Sequence, residues 1–222
     1  MAGHKITISD SELLHQWKNV LKFKTGEKII LSSPNKQESL CTLSSIDKKE
    51  AVLNVEKTYT NTSEPERNVT LYLAILKREN FELVIQKATE IGVMKIVPML
   101  TQNTVKTGLK FERLEKIAKE ASELAGRSTI PEITEAMSFE HAIKDSSSME
   151  SRIIFDISGE PLSPKQCLGP EKVAIYIGPE GGFTESEISF ARENKLEIAS
   201  LGSLTLRGET AGIVASYMAI NF

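Results

Sequence analysis

Short apolar runs separated by polar turns fill the first third of the chain. Apolar and β-branched residues at short, regular spacing are typical of strands, and four runs show this pattern: KITI (5–8), EKIIL (27–31), SLCTL (39–43) and AVLNV (51–55). One helix is predicted among them, at residues 12–21. The pattern indicates a small barrel or sheet, followed by a polar linker at residues 58–68 that contains Pro65.

After the linker, strand-length apolar runs alternate with helical patterns. The predicted strands are VTLYLAIL, KIVPML, RIIFDI, VAIYI and IASL. Apolar positions at helical spacing predict a helix at residues 80–91, stopped by Gly92, and another whose buried side runs from Phe111 to Ala125, closed by Gly126. This alternation indicates an α/β domain with a mostly parallel sheet.

Composition adds only broad limits. The chain has 222 residues and a formal net charge of -3, so any nucleic-acid binding must come from a local basic surface. No apolar run is long enough for a transmembrane helix, and the first residues lack the apolar core of a signal peptide. Cys41 and Cys167 lie far apart without a partner motif, and the three histidines lack ligand spacing. We therefore expect a cytoplasmic protein with free thiols and no metal.

The run VAIYI ends in the loop GPEGGF, residues 178–183. Thr184 and Glu187 have the spacing of a capping box, so a helix is expected to begin just after Thr184. The loop therefore joins a strand to a helix at the carboxyl edge of a parallel sheet, where α/β proteins commonly bind ligands. Its glycines suit either a tight turn or a backbone that approaches a ligand closely. Their spacing matches neither of the glycine motifs that bind phosphates.

A second stretch has the same position relative to a strand. LGSLTLRGETAG, residues 201–212, follows the run IASL and leads into a final helix predicted from about Glu209. It places Arg207 and Glu209 beside the apolar Leu204 and Leu206. A surface turn seldom contains three leucines, so this composition favours the wall of a pocket.

Together, IGPEGGFTESE and LGSLTLRGETA resemble the paired C-terminal motifs of the ribosomal RNA small subunit methyltransferase E family, in the SPOUT superfamily. AILKRENFELVIQKATEIGVMKIVPML, EASELAGRSTIPEI and HQWKNVLKFKTGEKIIL resemble further family segments, so the resemblance covers almost the whole chain. It implies a small PUA-like β-barrel RNA-binding domain at residues 1–66 and an α/β SPOUT methyltransferase domain with a deep trefoil knot at residues 67–222. It also implies a homodimer that methylates N3 of a specific uridine in 16S ribosomal RNA, free or within the small ribosomal subunit.

The resemblance further implies that S-adenosylmethionine is the cofactor, with its adenine held largely by backbone groups of the two loops. Glu180 is also open to a structural hydrogen bond with a loop amide. The implied cofactor contacts are Ile177, Gly178, Pro179, Glu180, Gly181, Gly182, Leu201, Gly202, Leu204, Thr205 and Leu206.

Methylation at N3 requires the loss of a proton, because this nitrogen of uridine is protonated at neutral pH. A cation beside the developing uridinate would favour that loss, and Arg207 is the candidate. Glu209 has three open roles: it could orient Arg207, accept the proton, or stabilise the N-terminus of the last helix through the helix dipole.

The candidate RNA contacts are basic side chains that could bind phosphates: Lys18, Lys22, Lys24 and Arg127. A solvated lysine surface is the other interpretation of the three lysines. Four residues differ from the family pattern, namely Lys22, Asn103, Leu124 and Thr205. Two alternatives therefore stay open: an enzyme of the same superfamily that modifies another RNA position, and a non-catalytic RNA-binding or ribosome-assembly protein on the same fold.

Overall fold

The structure is a computed structural model that describes residues 4–33, 35–105, 108–162 and 169–222. The chain divides into two compact units, Met1–Ser63 and Glu64–Phe222. Each unit has its own buried apolar core. Cys41 is buried with a free thiol, as predicted, whereas Cys167 lies outside the described residues.

An antiparallel sheet forms the first unit. Alternate residues of its two central strands face the core, where Cys41, Leu43, Ala51 and Leu53 are buried. The strands lie in the order β1-β4-β3-β2, so the four predicted strands are confirmed as one sheet. They are β1 (Lys5–Ile8), β2 (Lys28–Ser32), β3 (Gln37–Ile46) and β4 (Ala51–Thr60).

The polar linker begins later than predicted. Strand β4 continues through Thr58, which pairs with Ser39, to Thr60, which pairs with Gln37. Backbone groups make these ladder hydrogen bonds whatever the polarity of the side chains, so a polar sequence can extend a strand. The prediction of a linker at residues 58–68 was therefore wrong at its start.

The helix predicted at residues 12–21 is confirmed, with a change of geometry along its length. Helix α1 (Ser11–His15) runs directly into a π-helical turn, Gln16–Val20. Leu14 and Trp17 are buried on this segment and belong to the core of the first unit.

A parallel sheet forms the second unit. Its order is β11-β9-β10-β5-β6-β7, with β8 also paired to β6, and each of these pairs is parallel. The predicted α/β class with a parallel sheet is confirmed, and the strands all end at the same edge. They are β5 (Asn68–Ala74), β6 (Lys95–Leu100), β7 (Glu132–Ile133), β8 (Met137–Ser138), β9 (Ser151–Pro161), β10 (Lys172–Ile177) and β11 (Glu197–Ser200).

Helices cover both faces of this sheet. Leu71 and Leu73 of β5 belong to a core shared with α2, α3 and α6, whereas Tyr72 belongs to a core shared with α4 and α5. Because both faces are covered, the central strands are apolar at nearly every position instead of alternating. The helices are α2 (Arg78–Ile91), α3 (Phe111–Ala125), α4 (Phe139–Asp145), α5 (Glu185–Glu193) and α6 (Gly208–Asn221).

Glycine ends two of these helices as predicted. Gly92 and Gly126 have left-handed φ angles of 116° and 68°, which a residue with a Cβ seldom adopts. The expectation that Ala125 lies on the buried side of its helix was wrong, since it is exposed in the last turn.

The pairing of β9 with β11 is interrupted next to the carboxyl edge. Ile198 pairs with Ile154, but the following residue, Ala199, pairs with Glu160. Residues 155–159 therefore have no partner in β11, although Phe155 still pairs with Ile177 of β10. A Cβ at Gly159 would lie 2.7 Å from three backbone atoms of Ala199, so the close approach of the two strands requires glycine there.

Candidate functional site

A cavity of about 650 Å³ lies at the carboxyl edge of the parallel sheet. This volume is in the range of cofactor and small-molecule sites. Residues at or after the carboxyl ends of β10 and β11 line it, together with residues of β9 and the starts of α2 and α6. All eleven residues predicted as cofactor contacts line the cavity: Ile177, Gly178, Pro179, Glu180, Gly181, Gly182, Leu201, Gly202, Leu204, Thr205 and Leu206.

The loop after β10 makes a tight turn whose backbone forms one wall of the cavity. The amide of Gly182 donates to the carbonyl of Pro179 at 2.9 Å, and Gly182 has a left-handed φ of 68°. A Cβ at Gly178 would lie 3.1 Å from the ring of Phe183. The tight turn expected of the glycines therefore occurs in this loop, and the close approach at Gly178 is to the ring of Phe183.

The carboxylate of Glu180 holds the loop against its neighbour. It accepts a hydrogen bond of 3.0 Å from the backbone amide of Lys77, which follows β5. This is the loop-amide contact considered for Glu180. The helix after the loop begins as predicted, because Thr184 and Glu187 form a complete capping box.

The segment after β6 contacts the same loop from the other side. Asn103 donates from its amide nitrogen to the carbonyls of Gly181 and Gly182, at 3.1 and 3.0 Å. The preceding residue, Gln102, donates its backbone amide to the buried carboxylate of Glu187 at 2.9 Å.

The loop after β11 provides the opposite wall. Leu201 packs against the apolar core, and Gly202 turns the chain with a φ of 124°. Leu204 has 78% of its surface exposed, although it lines the cavity. The three leucines predicted to form a pocket wall therefore do line the cavity, and Leu204 lies at its open rim.

Arg207 and Glu209 lie at the start of α6 and also line the cavity. The side chain of Arg207 is 86% exposed, whereas that of Glu209 is 12% exposed. A distance of 4.0 Å separates Nη1 of Arg207 from Oε1 of Glu209. The other oxygen, Oε2, is buried and has no hydrogen-bond partner among the described residues. A buried carboxylate oxygen without a partner is costly, and a ligand that donates a hydrogen bond would satisfy it.

Five residues outside the stretches 177–183 and 200–211 also line this cavity, and the sequence pattern did not single them out. The signal for three of them was their position at the end of the predicted strand RIIFDI, at the same sheet edge as the two glycine-containing loops. They are Lys77, Asn80, Phe155, Asp156 and Ile157.

The basic residues predicted to contact RNA divide into two kinds. Lys18, Lys22 and Lys24 are exposed on the first unit, and Lys22 has an unusual left-handed φ of 56°. Arg127 is buried in the second unit, where it donates to Glu64 and to the carbonyls of Thr89 and Val93. These protein groups occupy its guanidinium in the structure.

Two further searches concern the described ranges alone. Within them, no group of three or more His, Cys, Asp or Glu side chains has an arrangement that could hold a metal ion. No helix in the same ranges combines the length and apolar character that crossing a membrane requires.

Comparison with known proteins links the chain to RNA-modifying enzymes. The family model described as "RNA methyltransferase domain" matches residues 63–220. Ribosomal RNA small subunit methyltransferase E of Rickettsia conorii is 30% identical over 225 residues, which cover 95% of this chain and 87% of that protein. The protein of the same name from Bacillus subtilis is 30% identical over 221 residues, covering 92% and 85%.

Two solved structures resemble the fold over nearly its whole length. Ribosomal RNA small subunit methyltransferase E from Neisseria gonorrhoeae, bound to S-adenosyl methionine, superposes with a TM-score of 0.88 at 25% identity, covering 97% of this chain and 91% of that one. A putative methyltransferase from Legionella pneumophila, with the bound cofactor SAM, gives a TM-score of 0.86 at 26% identity with the same coverage.

Proposed function

The chain belongs to the ribosomal RNA small subunit methyltransferase E family of RNA methyltransferase domains, and from this premise we propose that it methylates N3 of a specific uridine in 16S ribosomal RNA, using S-adenosylmethionine. The names of the relatives support ribosomal RNA as the substrate, and the ligands of two similar structures support the cofactor. The choice of uridine N3 rests on the resemblance of the paired motifs to those of the family, and the second motif contains Arg207 and Glu209.

The cavity fits the cofactor and a target uracil in three respects. It has a suitable volume, its walls are largely loop backbone with several glycines, and it contains an unpartnered carboxylate oxygen on Glu209. The unpartnered oxygen is the observation that carries the proposal, since the N3–H group of a bound uracil would be a donor for it. The residues that would hold the cofactor are the eleven named above, which are Ile177 to Gly182 and Leu201 to Leu206 without Ser203.

The cofactor supplies an electrophilic methyl group on a sulfonium, and the chain supplies position and charge. The N–CH₃ bond forms at N3 as the S–CH₃ bond breaks, and the N3 proton leaves. Arg207 stabilises the negative charge that develops on the uracil, because its exposed guanidinium reaches the open side of the cavity. Glu209 accepts the N3 proton through Oε2 and orients Arg207 through Oε1.

RNA is bound in this proposal through Lys18, Lys22 and Lys24, which are exposed and could contact phosphates. The antiparallel sheet of the first unit is consistent with a PUA-like barrel at residues 1–66, and the family relationship supports a trefoil-knotted domain at residues 67–222. Arg127 is not included among the RNA contacts, because protein groups already occupy its guanidinium.

A homodimer is proposed as the working form. Tyr217 of helix α6 and Phe222, which follows the helix, are exposed, and their rings pack edge to face with centroids 6.3 Å apart. Exposed aromatic groups of this kind favour burial against a partner surface. Light scattering should give twice the mass of one chain, and a monomer mass at every concentration would contradict this part of the proposal.

The test of the reaction is transfer of a labelled methyl group from S-adenosylmethionine to small ribosomal subunits that lack the modification, with naked 16S RNA in parallel. Nucleoside mass spectrometry and site mapping should find N3-methyluridine at a single position. A different methylated nucleoside would overturn the choice of N3 and favour a related RNA methyltransferase. Absence of label in a protein that binds S-adenosylmethionine by calorimetry would favour another RNA substrate, and absence of both label and cofactor binding would favour the non-catalytic alternative.

A further inference from the structure

The turn after β6 is built to present one side chain to the loop after β10. The amide of Thr101 donates to the hydroxyl of Thr104 at 3.0 Å, and the amide of Thr104 donates to the carbonyl of Thr101 at 3.1 Å. These bonds close the turn on itself and fix the two residues between them. Asn103 is one of those residues, so its direction is set by the turn and not by the loop that it contacts.

Asn103 makes two hydrogen bonds to successive carbonyls of the glycine loop. Its Nδ2 lies 3.1 Å from the oxygen of Gly181 and 3.0 Å from that of Gly182. Peptide groups are planar, and no cis peptide occurs among the described residues, so a fixed carbonyl also fixes the direction of the next amide. Asn103 therefore determines how the peptides between Gly181 and Phe183 are oriented.

A second contact holds the same two segments together. The carboxylate of Glu187 accepts from the backbone amide of Gln102 at 2.9 Å and from that of Thr184 at 2.8 Å. Because this contact uses the backbone of Gln102, it persists when the side chain of residue 102 or 103 is changed. Loss of Asn103 would consequently release the carbonyls of Gly181 and Gly182 without separating the two segments, and the hydrogen bond from Gly182 to Pro179 would be left to hold the turn.

We infer that Asn103 is a positioning residue for S-adenosylmethionine, an inference that rests on the proposed function. Asn103 does not line the cavity, so it acts through the loop and not by touching the ligand. Backbone groups that hold a ligand bind tightly only when they are ordered beforehand, since otherwise binding must also order them. The glycines at 181 and 182 give this loop more freedom than other residues would, and Asn103 adds a restraint to the single turn bond from Gly182 to Pro179.

Three variants test this inference. Asn103→Leu removes the donor group at similar volume, and Asn103→Asp keeps the shape while replacing the donating amide with a carboxylate. Gln102→Ala is the matched control: it removes the neighbouring side chain, whose exposed contact to Ser186 is 3.3 Å long, but keeps the backbone bond to Glu187. Calorimetry would measure the Kd for S-adenosylmethionine, and steady-state kinetics would measure its KM and the kcat. Hydrogen exchange without ligand would measure how often residues 180–184 open.

Both Asn103 variants should raise the Kd and the KM for S-adenosylmethionine about tenfold, with kcat at saturating cofactor and the Tm close to those of the parent protein. Amides of residues 180–184 should exchange faster in these variants and at the parent rate in Gln102→Ala. An unchanged Kd in Asn103→Leu, or an equal loss in Gln102→Ala, would overturn the inference. If the parent itself fails to bind S-adenosylmethionine, the proposed function fails. Unchanged hydrogen exchange in Asn103→Leu would separately contradict the conclusion that Asn103 restrains the loop.

Discussion

Arg127 and Glu64 form an ion pair inside the second unit, with 3.1 Å between Nη2 and Oε2 and with 5% and 2% of their side chains exposed. The other oxygen of Glu64 accepts hydrogen bonds from the backbone amides of Ser128 and Thr129, at 2.9 and 3.0 Å. Arg127 also donates to the carbonyl of Thr89 near the end of α2. The pair therefore joins the first residue of the unit, the end of one helix and the segment that leads into β7.

Breaking this buried pair should destabilise the second unit strongly. Arg127→Met leaves the Glu64 carboxylate without its cation, which typically costs about 3–5 kcal/mol of unfolding free energy. Urea denaturation would measure the loss. Lys95→Met is the control, because the Lys95–Glu132 pair is 3.8 Å long and its side chains are 29% and 64% exposed, so its removal should cost less than about 1 kcal/mol. Equal effects of the two changes would contradict the role assigned to Arg127.

The same pair should make the protein sensitive to acid. Burial raises the pKa of Glu64, but hydrogen bonds from Thr129 and Arg127 and the charge of Arg127 outweigh it, so the net pKa is lowered. A carboxyl whose pKa is lower in the folded state stabilises the fold above its unfolded pKa of about 4.3, and this contribution is lost as the pH falls through the folded pKa. The difference in unfolding free energy between the parent and Glu64→Gln should therefore shrink below about pH 4. A difference that does not change with pH would show that charge is not involved.

Removal of the exposed guanidinium of Arg207 should slow the chemical step without weakening the binding of S-adenosylmethionine. Arg207→Ala is expected to lower kcat about 100-fold, the usual effect of losing one group that stabilises developing charge. The Kd for S-adenosylmethionine should stay nearly unchanged because the guanidinium is 86% exposed. Arg192→Ala, which removes another exposed arginine on α5, should leave both quantities unchanged. Near-normal kcat in Arg207→Ala would rule out charge stabilisation by this residue.

Glu209→Gln distinguishes a role of Glu209 as proton acceptor from stabilisation of the N-terminus of α6. If its carboxylate accepts the N3 proton, kcat should fall about 100-fold while the unfolding free energy changes by less than about 1 kcal/mol. Glu185→Gln, in the first turn of α5, is the control for the interaction of a carboxylate with a helix N-terminus. Unchanged kcat together with a loss of stability like that of Glu185→Gln would assign Glu209 to the helix dipole alone.

Gly159 should tolerate no larger residue. In Gly159→Ala the new Cβ would lie 2.7 Å from the backbone of Ala199, so β9 or β11 must move, and overpacking of this kind costs about 1–3 kcal/mol. Gly108→Ala is the control, because its Cβ would meet no atom within 4 Å. Thermal unfolding should show a lower Tm for Gly159→Ala alone. If both variants have the Tm of the parent protein, β9 and β11 can move apart at Gly159 without cost, and the prediction is wrong.

Local signals account for the features that the sequence predicted well. A left-handed glycine after an apolar helical pattern marks a helix end at Gly92 and Gly126, and a Thr-x-x-Glu pattern marks a start at Thr184. The loops that line the cavity were predictable for the same reason, because parallel strands bring their carboxyl ends to one edge.

Features that depend on distant partners were not predictable from the sequence. Asn103 was noted only as a departure from a family pattern, and its contacts lie at Gly181 and Gly182 in another loop. Arg127 resembled a phosphate contact because its buried partner, Glu64, stands far away in the chain. The strands β7 and β8 have two residues each, too few for any periodic pattern to identify them.

The order of the parallel strands also affects how the polypeptide folds while it is being synthesised. Val69 of β5 pairs with Val173 of β10, so the centre of the sheet joins segments separated by most of the second unit. Until β10 is synthesised, β5 has an unpaired edge and apolar residues that the finished sheet buries on both sides. Such a nascent chain exposes a long-lived aggregation-prone strand, and its folding must wait for nearly complete translation. Chaperone binding during synthesis should therefore be concentrated on residues 68–76.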